Sequence, residues 1–493
     1  MDALRTGKGL FHKTVVLLSI VPGWVIVAVL ISLLVVSANW LISPLGTLIA
    51  VGGVCFLLLL FVKPEVGLFF IFLLLPFHLA VKKYVPGPAG TYWKEGLLLL
   101  SWIASLVNGV VRKRLPIPRS RIWLPLVVFC SIILTRFLLS DDHFFGAWGL
   151  YVYFMYLPLL FIIFWRTKSV HQLKLYIWLV MLTSIISAIG GIAEFLFGFT
   201  TGLQNLPAWW ISSTHIRRVT FTFDAPMPLG SFLAVGLCLF ITFWLTYPGS
   251  KKQSLFFLSG TLVSGLGLIF TFSRGPTIQA IGSLAYIGLV YFLSLPNATI
   301  RVKWLRKIFL LSICITALVT SVLLVAMGDK LLAYLRSFFE WSKSINVGVA
   351  AANAVRIRRW QRSLEVFLQY PLEGIGLGMT GATTSRFFPN ALITESFPLK
   401  ILLEAGLPAL MAFFWLYLRL VRDGTRMALS SGRSVQRALA FGASAGLVGI
   451  FIEGLVLQIL ETKQISAEFW LFIAILIWLE ARWRVNARRA YSS

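Results

Sequence analysis

Along most of this chain apolar residues do not alternate with polar ones. They run nearly unbroken for about 18 to 25 positions at a time, from Val15 to near Trp483. A helix of that length crosses a hydrocarbon core about 30 Å thick. The pattern predicts about fourteen transmembrane helices, at 15–36, 41–62, 66–85, 95–111, 122–139, 148–165, 173–197, 226–247, 254–273, 276–296, 307–328, 396–420, 437–460 and 467–484. No period repeats and no low-complexity linker divides the chain. The expected architecture is therefore an all-α polytopic membrane protein, one integral domain over 1–493, with a single long extracytoplasmic loop at 329–395.

Composition agrees. With 58% hydrophobic and 13% charged residues, the chain has too little polar surface to cover a soluble globule of its size. The first run follows basic residues but has no small-residue cleavage site after it, so it reads as a retained helix. The four cysteines, Cys55, Cys130, Cys238 and Cys314, all fall in apolar runs, where a thiol acts as a small hydrophobe.

The formal charge of +26 would point to nucleic acid in a soluble protein. Here the basic residues cluster in short segments between spans and report topology instead. If Arg5, Lys8 and Lys13 are cytoplasmic, so are RKRLPIPRSR, WRTKSVHQLK, SKK, RVKWLRK, the RLVRDGTR to RSVQR segment and RWRVNARR. Both termini then lie in the cytoplasm, and about 27 of the 44 Lys and Arg with them. The positive-inside rule does not ask for the rest, which include Lys82, Lys83, Lys94, Arg136, Arg217, Arg218, Arg274, Lys463 and the basic residues of the long loop.

Three outward segments carry arginine: 198–225, the SRGP turn at 273–276, and the long loop. In the loop, Leu331, Leu335, Phe338 and Phe339 have the spacing of a helix lying on the membrane surface. A second amphipathic helix is expected from Asn353, a good N-cap, to just before Pro371, with Ile357, Trp360, Leu364, Phe367 and Leu368 on its apolar face. Arg358, Arg359 and Arg362 read first as a headgroup-facing surface, and Arg356 as the residue flanking a polar site. The glycines of GIGLG at 374–378 fit either a phosphate cradle or plain loop flexibility.

Arg274 lies in a four-residue turn whose shape Ser, Gly and Pro already provide. Its guanidinium either snorkels to headgroups or holds a partner. Because guanidinium forks bind phosphate bidentately, Arg218, Arg274 and Arg356 together would suit a diphosphate. Glu395, at the outer end of the next span, either complements that helix's dipole or serves as a general base. Asp141, Asp142 and His143 read as a solvated loop.

Four segments resemble the bacterial O-antigen ligase family. ESFPLKILLEAG, from Glu395 to Gly406, resembles its H-[NSQ]-x-x-L-x(6)-G signature, with Ser396, Leu399 and Gly406 in register and glutamate in place of histidine. RVTFTFDAPMPLG resembles the family's R-x-[ST]-G-T-F-x-[ND]-P-N entry to a span, with Phe221 at the glycine position and Ala225 and Met227 at the later polar ones. FTFSRGP resembles its S-R-[GA] turn, and RIRRWQRSLEVFLQYPLEGIGLG its R-x-x-x-W…P-x-x-G-x-G loop helix. The likeness covers about residues 215–420, and glutamate at 395 looks more like the polymerase branch than the ligase branch.

The resemblance implies a glycosyltransferase of the bacterial cytoplasmic membrane, its site facing the periplasm. It would act on an undecaprenyl-diphosphate-linked oligosaccharide donor and a glycan acceptor, without cofactor or metal. It implies Glu395 as base, Arg218, Arg274 and Arg356 on the diphosphate, and Arg217, Arg359 and Ser396 as further contacts. A chain-length regulator and a flippase of the same pathway are expected partners, and nucleic acid is not.

Three alternatives stay open. One is a ligase proper, transferring glycan to lipid A core, and another is a peptidoglycan strand polymerase of the shape, elongation and division type. The third is a transporter or flippase, for which Glu194, Glu404 and Glu453 are the intramembrane candidates and Lys400 with Glu404 an i, i+4 pair.

Overall fold

The computed structural model describes residues 44–85, 87–111, 115, 117–198, 210–211, 216–297, 299–300, 349–381, 384–386, 391–429 and 434–492. The expected spans at 15–36 and 307–328, and the surface helix around Leu331–Phe339, lie outside these. In chain order the helices are α1 (Pro44–Val62), α2 (Glu65–Leu74), α3 (His78–Tyr84), α4 (Pro88–Val111), α5 (Trp123–Leu138), α6 (His143–Phe154), α7 (Leu157–Arg166), α8 (Val170–Phe197), α9 (Pro226–Thr246), α10 (Lys251–Phe270), α11 (Arg274–Ser294), α12 (Val349–Gln369), α13 (Phe397–Ala428), α14 (Val435–Gly454) and α15 (Lys463–Ser492). A 3-10 turn, Leu75–Phe77, joins α2 to α3. A two-residue antiparallel ladder, Trp210–Ile211 with Ile216–Arg217, precedes α9.

Among the described residues nine helices are long and apolar enough to cross a membrane. A bent pair, α6 with α7 at 42°, makes a tenth. The chain is a multi-pass membrane protein. The exposed flanks carry leucine and isoleucine where a soluble protein would place charge, as at Leu255 and Leu262 on α10 and Ile281 and Leu289 on α11. By contrast α9 and the first part of α15 are buried along nearly their whole length. They form the centre around which α8, α10, α11, α13 and α14 pack.

Helix ends follow from local chemistry. Gln253 N donates to Ser250 Oγ while Ser250 N donates back to Gln253 Oε1, a reciprocal cap on α10. Asp142 caps α6 by accepting from Phe144 N and Phe145 N, so this member of the expected solvated loop has a structural task. Small residues let helices approach closely: a side chain at Gly236 would collide with Ser184, and one at Gly449 with Ser283.

Two helices depart from the expected pattern. α12 begins at Val349, upstream of Asn353. Its inward face carries Arg356, Arg359, Trp360, Ser363 and Phe367, leaving Ile357, Leu364 and Leu368 exposed. The apolar stripe was therefore the wrong guide to orientation. Charge pairing with Glu395, described below, turns the arginine face inward, and the exposed leucines suit a helix at an interface.

The second departure is in α13, which breaks at Gly406 with φ 78° and ψ −179°, a region open essentially to glycine alone. A Cβ there would lie 2.0 Å from the Leu372 carbonyl oxygen. The loop after α12 fills the break. Ile375 N donates to Leu403 O at 2.6 Å and Leu407 N to Pro371 O at 2.9 Å, supplying partners to backbone groups that a broken helix frees.

Candidate functional site

The arginine-led segment between the β ladder and α9 is held from beneath by a carboxylate. Glu194 Oε2, near the end of α8, accepts from Thr220 N at 3.0 Å and Phe221 N at 2.6 Å. Phe221 stands in the left-handed region, φ 48°, where a residue with a Cβ is strained. Its ring occupies the space left by Gly190, where any side chain would meet it at 2.4 Å, and it packs edge-on against Phe77. On the far side Thr222 Oγ1 donates to Pro76 O at 2.9 Å.

Arg218, which opens this segment, reaches the turn between α10 and α11. Its Nε donates to Thr271 O at 3.1 Å and one terminal nitrogen to Ser273 Oγ at 2.6 Å. Arg274, the first residue of α11, follows immediately and is partly exposed. The Arg218 guanidinium thus sits at the helix N-terminus that Arg274 begins, and the partial positive charge of that terminus adds to its own. The preceding residue, Phe272, is also left-handed, φ 46°.

On the long loop, Arg359 pairs with Glu395 Oε1 and Arg356 with Oε2 at 3.6 Å. All three side chains are partly open to solvent, between 20% and 35% exposed, so ligand can reach them. Glu395 is the third non-glycine residue with positive φ, 51°. Its neighbours hold it there. Thr394 Oγ1 donates to Ser396 O at 2.8 Å, Gln458 Nε2 donates to Thr394 Oγ1, and Ser396 Oγ caps α13 by accepting from Leu399 N. All three left-handed non-glycine residues among those described therefore lie in, or for Phe272 directly before, the three arginine-bearing segments.

The end of α14 packs against the start of both α11 and α13. Glu453 Oε1 accepts from Ser231 Oγ at 2.8 Å and lies 3.0 Å from where a side chain at Gly275 would begin. The next residue, Gly454, faces Phe397 just beyond Glu395.

Of the expected site residues, the structure joins Arg356 to Glu395 and sets Arg218 beside Arg274. It gives Arg359, read first as surface and expected only as a further contact, a closer place on Glu395 than Arg356. Arg362 is that surface residue, paired with exposed Glu365. Ser396 is a helix cap, and the side chain of Arg217 lies outside the described residues. The glycine run at 374–378 lies against protein backbone, with Gly374 against Leu403 O and Gly378 against Phe145 O. Its role in plugging α13 replaces the phosphate-cradle reading.

Glu194 and Glu404, candidates for a transport path, are both engaged in static contacts. Glu404 accepts from Tyr153 Oη, Thr380 N and Thr380 Oγ1 and pairs with Lys400 at 2.9 Å. Glu461, which sequence reasoning passed over, completes this buried group at 3.2 Å from Lys400. A lone acid between a span end and a basic residue gave no periodic signal to find it by. Neither a family model nor a curated protein matches the chain.

Proposed function

We propose that this protein is a membrane glycosyltransferase that joins undecaprenyl-diphosphate-linked saccharide units on the outer face of the cytoplasmic membrane. Chain extension is the favoured reaction. The observation that carries the reading is the convergence of Arg356 and Arg359 on Glu395 at the mouth of the broken helix. The four ordered likenesses to the O-antigen ligase family support it.

The chemistry follows from competition for the same guanidinium groups. A diphosphate presents more negative charge than one carboxylate and accepts arginine forks equally well, so donor binding draws Arg356 and Arg359 away from Glu395. The carboxylate thereby gains a free lone pair. It takes the proton of the acceptor hydroxyl as that oxygen attacks the anomeric carbon, while the bond from that carbon to the diphosphate oxygen breaks. The electron pair leaves on the diphosphate, whose growing charge the arginines neutralise, and the sugar inverts. Arg218 and Arg274 at the α11 N-terminus would hold the other part of the same anion.

The test is to incubate purified protein with an undecaprenyl-diphosphate oligosaccharide and to size the lipid-linked products. Longer glycans that vanish in Glu395→Gln are expected. Glycan transferred to lipid A core would make it a ligase, and unchanged glycans moved across liposomes would overturn the reading in favour of transport.

A further inference from the structure

Glu395 takes its backbone conformation from the residue before it. Thr394 is fully buried, and its Oγ1 donates to Ser396 O at 2.8 Å, closing a small ring over Glu395 while that residue stands at φ 51°. Ser396 O also accepts from Lys400 N at 3.0 Å, the opening hydrogen bond of α13, so the ring is fastened to the helix itself.

A hydroxyl has one proton to give, and a carbonyl oxygen can only accept. The proton of Thr394 therefore goes to Ser396 O, and any other polar atom that meets Thr394 Oγ1 must donate to it. Gln458 does so through Nε2, and the same count fixes which end of its amide faces Thr394. Gln458 is itself buried, and it comes from 64 residues further along the chain, on the connection between α14 and α15. There it opens the 3-10 turn Ile459–Glu461, whose last residue pairs with Lys400 at 3.2 Å. One short turn thus braces the start of α13 on both sides of Ser396, at 394 through Gln458 and at 400 through Glu461.

The contacts of the Glu395 side chain are a weaker constraint, because Arg356, Arg359 and Glu395 are all partly open to water, which screens them. A left-handed residue with a Cβ persists only where its surroundings over-determine it, and here the buried chain from Gln458 to Thr394 to Ser396 does so.

We propose that Gln458 is a positioning residue for Glu395: by fixing the Thr394 hydroxyl on Ser396 O, it holds the Glu395 carboxylate against Arg356 and Arg359. The consequence for catalysis rests on the glycosyltransferase reading, but the hold on the Glu395 backbone does not.

Three variants of the full-length protein test this. Thr394→Val keeps the side-chain shape and removes the hydroxyl, Thr394→Ser keeps the hydroxyl, and Gln458→Met removes the amide at similar length. Electron cryomicroscopy of Thr394→Val and of Gln458→Met should show Glu395 turned out of the left-handed region, with its carboxylate off Arg359. Chain extension per folded protein should fall by about tenfold or more in both, without a rise in KM for an undecaprenyl-diphosphate oligosaccharide. Thr394→Ser should keep both the backbone and the rate. Glu395 unmoved in Gln458→Met overturns the proposal whatever the rate does, and so does a loss in Thr394→Ser equal to that in Thr394→Val. If Thr394→Val does not fold, Gln458→Met carries the test alone. If Glu395 moves as expected but wild type never extends lipid-linked saccharide, the positioning role stands and the glycosyltransferase reading falls.

Discussion

Two ion clusters are centred on residues less than ten positions apart, Glu395 in one and Lys400 with Glu404 in the other, and they behave as opposites. Just before the N-terminus of α13, Glu395 meets Arg356 and Arg359 with all three groups partly exposed and its own backbone in a strained conformation. A little deeper along α13, Lys400 meets Glu404 and Glu461 with side-chain exposures of 1%, 0% and 6%, none of the three at positive φ. Exposed pairs contribute little to stability because water screens them, whereas a buried charge that loses its partner is severely destabilising. The deeper cluster is therefore a structural rivet, tying the glycine loop, α13 and the α14–α15 connection. The outer cluster is a set of charges that can exchange partners.

This contrast can be broken experimentally. The largest effect is expected from Glu395→Gln, which removes the proposed general base and should lower chain extension by about 10²–10⁴-fold, with thermal unfolding in detergent close to wild type. A melting point lowered in step with activity would give Glu395 the same structural role as Glu404. Next in size, Lys400→Met leaves Glu404 and Glu461 buried without their cation and should cost about 3–5 kcal/mol, read as a large drop in unfolding temperature or in folded yield. An unchanged melt would mean that the triad is not a rivet.

A smaller effect, about tenfold in turnover, is expected of Arg359→Lys. The point charge is retained but a charged fork hydrogen bond of about 1.5 kcal/mol is lost. Equal turnover with lysine would remove bidentate contact from the mechanism. The smallest concerns strain. Asparagine tolerates the left-handed region better than glutamine, so Glu395→Asn should melt at or slightly above Glu395→Gln, by a fraction of about 1 kcal/mol. A lower melt for asparagine would show that φ at 395 is not a source of strain.

Much of the fold was legible in the sequence because lipid imposes a simple length rule. Each expected span that falls in the described residues coincides with a helix or helix pair, since an apolar run has no other way to satisfy its backbone inside a bilayer. The site was legible in part. Arg218, Arg274, Arg356 and Glu395 stood out as charges that topology did not require. Arg359 was among them too, but the apolar stripe on α12 placed it behind Arg356 as a further contact. Phe221 looked like a departure from a glycine position, and the structure shows its accommodation: a left-handed backbone pinned by Glu194, with the ring housed over Gly190.

By itself, then, the sequence determined the helical, membrane-crossing class and the set of charges that span topology does not require, because both follow from residue chemistry read one segment at a time. Only the tertiary structure decided which of those charges meet. That Lys400 reaches Glu461, that Glu194 holds Phe221, and that Arg359 rather than Arg362 faces Glu395 depends on helices distant in sequence packing side by side. Apolar periodicity orients a helix only weakly where lipid and protein are almost equally good surroundings. There the few polar contacts choose the rotation, and their partners lie far along the chain.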